Sequence, residues 1–152
     1  MRSFRQGDNV TLDELDHILP NGFHDAQLFS IELNYAAGSA KLHLNLLVGW
    51  PEDPEEEREA YQEAILTITG LCFCSIEPPQ SSYPFLPDGK PIWLSGDAAK
   101  SDHLPALPGL VEKFPSGAWC YRFFMDDWNA FIYIAGRDAA CAWIGEKPKH
   151  AV

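Results

Sequence analysis

The chain has 152 residues, enough for one domain with its own core. A hydrophobic content of 46% argues against disorder. With 22 acidic against 11 basic residues the formal net charge is −11, which excludes the Lys- and Arg-rich surfaces that bind nucleic acid or anionic membranes.

Residues 1–9 read as a loose leader without an apolar run, so no signal peptide is expected. No segment approaches the roughly 20 apolar residues of a spanning helix. The expected location is cytoplasmic. Thr11 and Glu14 have capping-box spacing, and Val10 and Leu15 that of a hydrophobic staple. Leu12, Leu15, Ile18 and Leu19 form one apolar stripe, which Pro20-Asn21-Gly22 ends. These signals predict a helix of about two turns, too short to persist unless it packs on something.

The period then changes to two. In residues 27–35, Phe29, Ile31, Leu33 and Tyr35 alternate with polar residues; in 40–50, Leu42, Leu44, Leu46, Val48 and Trp50 do the same. Such alternation predicts half-buried antiparallel strands joined by a hairpin at 36–39. Residues 51–63 hold seven acids and one Arg, more than half of the net charge of the chain. Such runs are usually solvated, and Asp53-Pro54 is placed to cap a short helix. Residues 64–77 return to strand, with Gly70 marking a bulge or bend.

Residues 78–117 hold eight of the twelve prolines and read as an irregular excursion. Within it, 92–95 read as a short strand and 110–114 as one helical turn. Residues 118–125, 130–135 and 139–144 read as a terminal meander, turned at 126–129 and 136–138. In that register Arg122 lies opposite Tyr133, within cation–π reach. Both faces of the meander are apolar, so both need cover. Cys141 and Trp143 fall on the Arg122 face, unless the last turn slips by one residue. The expected fold is one mainly β domain: an antiparallel sheet or sandwich of six to seven strands with one short N-terminal helix. An α+β arrangement is the alternative.

The chemistry-bearing residues are few. His24 beside Asp25 has the composition of a general base, a metal ligand or a proton-sensitive switch, although neighbours in a strand point to opposite faces. Asp126, Asp127, Trp128 and Asn129 place two carboxylates, an amide and an indole on one turn, without the spacing of a calcium loop. His17, His43, His103 and His150 are scattered. Cys72, Cys74, Cys120 and Cys141 read as reduced, buried thiols. No nucleophile elbow, phosphate loop, dinucleotide fingerprint or metal spacing is present, so no cofactor or metal is implied.

Residues 20–35, with Ile76-Glu77-Pro78-Pro79 and Asp127-Trp128-Asn129-Ala130-Phe131, resemble a group of small bacterial proteins that brings no known activity. The Phe23-His24-Asp25-Ala26 segment leading into a strand is also similar to the beginning of some immunity proteins of polymorphic toxin systems. That resemblance implies a mainly β protein that neutralises a toxin by binding it.

Three functional readings follow. The first is a non-catalytic binding protein whose acidic surface meets a basic protein partner. The second is a small-molecule binder on the aromatic face around Arg122 and Tyr133. The third is a metal-dependent enzyme using His24, Asp25 and Asp126 or Asp127.

Overall fold

The computed structural model describes residues 10–83, 88–98 and 109–152. A helix, α1 (Leu12–Ile18), is followed by eight strands. These are β1 (Ala26–Asn34), β2 (Ser39–Leu47), β3 (Tyr61–Thr69), β4 (Phe73–Ile76), β5 (Ile92–Ala98), β6 (Trp119–Met125), β7 (Ala130–Gly136) and β8 (Asp138–Trp143). They form one open sheet in the order β4-β7-β6-β5-β1-β2-β3-β8, antiparallel at every pairing. The chain is therefore mainly β, a single sheet with one short helix rather than a sandwich. No helix among the described residues is long and apolar enough to cross a membrane.

The helix begins as its capping signal requires: the Thr11 hydroxyl accepts from the Glu14 amide at 3.0 Å. Val10 is buried with Leu12 and Leu15, and α1 packs against β5 and β8. Its entry is fastened to β8. The Val10 amide donates to the Asp138 carboxylate at 2.7 Å, and the Ala139 amide donates to the Val10 carbonyl at 2.8 Å.

Six to seven expected strands become eight because Gly70 does more than bend its strand. At φ +60° it takes a conformation that suits glycine, and it divides the expected 64–77 strand into β3 and β4. β3 pairs with β2 and β8, while β4 pairs with β7. Within the excursion at 78–117 the expected helical turn is present as a 3-10 turn over Val111–Lys113, and the expected short strand is longer, β5 running to Ala98. Its residues 84–87 and 99–108, and with them His103, lie outside the described residues, as does the leader 1–9. No helix follows Asp53-Pro54: residues 51–59 form turns, because the Asp53 carboxylate is spent on the Trp50 amide instead.

The meander is half right. β6 and β7 pair in the expected register, with Arg122 opposite Tyr133 and Met125 opposite Ala130. β7 and β8 do not pair, however. Only Arg137 separates them, and one residue cannot reverse a strand. The chain runs on instead, and β8 pairs with β3. Cys141 and Trp143 consequently pack against the core rather than lying on the Arg122 face.

This continuity rolls the sheet. β3 leads into β4 while β7 leads into β8, and one long ladder joins them, from Ala64 opposite Trp143 to Ile76 opposite Ile132. At the crossing, a Cβ on Gly136 would stand 2.6 Å from the Ile68 side chain. The inward face holds the core: Leu42, Leu44 and Leu46 of β2, Leu66 and Ile68 of β3, Tyr121 and Phe123 of β6, and Ile132 and Ile134 of β7. Burying that face supplies the main driving force for the fold.

Candidate functional site

β5 pairs with β1 only over Ala26–Leu28, so the two strands separate early. Beside the separation lies a groove of about 890 Å³. The buried core residues Leu28, Met125 and Ile132 border its floor, and Ile76 and Ile92 stand on its wall. A β-bulge between Leu28 and Ser30 interrupts the β1–β2 register and releases Phe29 onto its rim, where it packs on His43 with ring centroids 4.7 Å apart. Trp93 and Trp128 line the groove as well, with Gln27, Ser30, Asp88, Lys90 and Asp127 as polar members.

The acidic members are positioned by backbone. Asp127 accepts from the Trp93 amide at 2.9 Å, and the Asp126 amide donates to the Trp93 carbonyl at 3.0 Å. Trp93 in turn meets Tyr61 edge to face, with centroids 6.3 Å apart, and the Tyr61 hydroxyl donates to the Asp25 carbonyl at 3.0 Å. Asp25, Asp126 and Asp127 thus share one rim although about 100 residues separate them. Partial burial, then the charges of Asp127 and Asp25, push the Asp126 carboxyl above its ordinary value. Tyr61 is raised by burial, then by Asp25 and Glu59. Burial is the first cause of both shifts, and the neighbouring carboxylates add to it.

The remaining candidates fall into place around it. His24 lies 3.3 Å from Asp25, but the two side chains are 74% and 55% exposed, on a turn. Asp25 (φ +52°) and Asn129 (φ +47°) occupy the left-handed region that Asp and Asn tolerate, so turn geometry accounts for both residue types. Among the described residues no group of three His, Cys, Asp or Glu side chains is placed to hold a metal ion. Burial pushes the Cys120 and Cys141 thiols up to about 11, which leaves them protonated and unreactive at neutral pH.

Arg122 and Tyr133 lie away from the groove. The guanidinium of Arg122 stands 4.8 Å from the Phe131 ring centroid, on the neighbour of its register partner. Burial is the main cause that raises the Tyr133 phenol; Glu77 adds to it and Arg122 opposes it. Nearby, Phe114 from the Pro-rich segment packs on Phe73 at 5.7 Å, covering part of this outer face.

No family model, curated protein or solved structure matches this chain. The assignment of a function therefore rests on the side chains themselves.

One cluster carries no sequence signal at all. Asp53, only 7% exposed, accepts from the Trp50 amide at 2.8 Å, meets the His150 Nε2 at 2.8 and 2.9 Å, and accepts from Lys149 at 3.3 Å. His150 stacks on Trp50 with centroids 3.5 Å apart. A gap of 97 residues hides this contact from any spacing rule. Bonding to the Trp50 amide, then to His150, lowers the Asp53 carboxyl from an ordinary 3.8 to about 2. The charged form is therefore favoured by folding. Its contribution is complete above pH 3.8 and is lost as the pH falls towards 2. In acid titrations followed by tryptophan fluorescence, Asp53→Asn is expected to flatten the stability change in that window. An unchanged acid limb would show that Asp53 does not carry it.

Proposed function

We propose that this is a non-catalytic binding protein that engages a basic partner at the acidic, aromatic rim of the groove. The observation that carries the reading is the convergence of Asp25, Asp126 and Asp127 beside Tyr61 and Trp93. Carboxylates that repel one another gain when a cation arrives, and the ring faces offer it a second attraction. Complementary charge of this kind speeds encounter and selects partners. The net charge of −11 extends the same field over the molecule and speaks against nucleic acid. The resemblance of residues 23–26 to immunity proteins supplies a setting, in which the basic partner is a toxin held inactive. A cytoplasmic location goes with that proposal.

The acidic block at 51–63 contributes less than its composition implies. Asp53 is turned inward, Arg58 folds back to donate to the Asp53 carbonyl, and Lys149 sits against Asp53 and Glu57. The test is a comparison of two triple variants in titrations with arginine- and lysine-rich peptides. Asp25→Asn, Asp126→Asn and Asp127→Asn keep the turn residue types and the acceptor to Trp93. They are expected to weaken binding about tenfold and to remove most of its salt dependence. Glu52→Gln, Glu55→Gln and Glu56→Gln are expected to change it much less. Equal effects from the two sets, or none from either, would remove the rim from the reading.

A further inference from the structure

Resting on the basic-partner reading, we infer that the groove receives an extended segment of the partner as an added strand along β1. Its arginine or lysine side chains would meet Trp93 and the Asp126–Asp127 turn, and its alternate side chains would enter the apolar groove.

From Ser30 to Asn34, β1 pairs with β2 along one edge, while among the described residues its ladder with β5 has already ended at Leu28. Ser30 and Ile31 of that stretch line the groove. Among the described residues no second strand pairs with that edge, and such an edge is a template for another strand, which gains main-chain hydrogen bonds whatever its sequence. Here the template borders a concave surface rather than flat solvent.

Side chains supply the selectivity. An extended segment turns alternate residues to opposite faces. One set would reach Ile76, which is exposed, and the half-buried Ile92 on the groove wall. The other set would run past Trp93 and Phe29, which are 39% and 44% exposed, and on to the carboxylates of the 126–127 turn. A guanidinium can stack on those rings and pair with a carboxylate together, which an acidic or purely apolar segment cannot. Lys90 is the cation of the groove wall, on the segment entering β5. Asp88 lines the same wall and accepts from the Lys90 amide at 2.9 Å, so the two opposite charges offset one another there and the Asp127 end is the acidic one.

The experiment uses a capped peptide of about eight residues alternating Arg and Val, a length typical of a single strand. Binding to the full chain is followed by tryptophan fluorescence and by amide chemical shifts. Two further peptides carry backbone N-methyl groups, on every Val in one and on every Arg in the other. Charge and composition are nearly unchanged, but only one set of amides faces β1 in an added strand. One methylated peptide is expected to bind about tenfold or more weakly while the other stays close to the parent. Shift changes are expected at 29–34 and 125–129. Equal binding by both methylated peptides, still weakened by salt, would overturn the added strand and leave the basic-partner reading standing. Shift changes confined to 51–59 would also overturn it, as would equally tight binding of a capped single arginine, which would make the groove a small-molecule site. Absence of salt-sensitive binding by all three peptides would remove both readings.

Discussion

Replacing Phe23 by alanine is expected to cost about 3–5 kcal/mol, a large share of the stability of a domain this size. The ring is fully buried, edge to face against Tyr121 at 5.9 Å and Phe123 at 5.2 Å. Those two rings face each other across a further 5.0 Å contact, so Phe23 completes an aromatic triangle on the inward face. The turn carrying Phe23 is itself pinned by the Asp16 carboxylate accepting from its amide at 2.8 Å, so the backbone is held back from closing over the space. Denaturant titrations should show the midpoint falling with little change in slope, and melting should drop by on the order of 10 °C. Phe23→Leu should recover a good part of the loss. A cost below about 1 kcal/mol for Phe23→Ala would mean that the inward face does not depend on this ring.

The second large effect is expected at Gly49. A Cβ there would stand 2.1 Å from the Glu57 carbonyl oxygen and 2.4 Å from that of Arg58. Both are backbone atoms, so no rotamer change relieves the clash and the 49–58 loop must move. Gly49→Ala is expected to cost about 3 kcal/mol, at the upper end of overpacking penalties. The damage should spread in a defined direction. The Asn21 amide donates to the Gly49 carbonyl at 2.9 Å, and the Trp50 indole donates to the Pro20 carbonyl at 2.9 Å. Displacing the loop should therefore also free His150 from Trp50, and the histidine ring signals should lose their aromatic shift in proton spectra. If those signals stay in place while stability falls, the loop has moved without the tail.

What could be read in advance was local. Thr11 and Glu14 announced the helix start because a cap is a matter of three residues. The β6–β7 register followed from a four-residue turn and clean alternation on both sides. What could not be read was every choice of partner across distance. Ala26 pairs with Leu94 and Ala64 with Trp143, and neither strand carries a local mark of its neighbour. At Arg137 the residue types suggested a turn, but the spacing was one residue too short, and β8 found β3 instead. The site follows the same division. Asp126, Asp127 and Trp128 were legible as a turn rich in functional groups. Asp25 was grouped with them as a candidate metal ligand, but the meeting with Tyr61 and Trp93 was not legible, because it depends on how far β5 and β1 run together.

The fastening of Val10 to β8 has a consequence for the order of events on the ribosome. The helix emerges before every strand of the sheet, yet its entry is closed by the amide of Ala139 and the carboxylate of Asp138. Leu12 and Leu15 must therefore wait for nearly the whole chain before their resting place is complete. Topologies dominated by such distant pairings fold slowly and expose apolar surface meanwhile. In a nascent chain, α1 is made before the strands it packs against and is locked only once the last of them arrives.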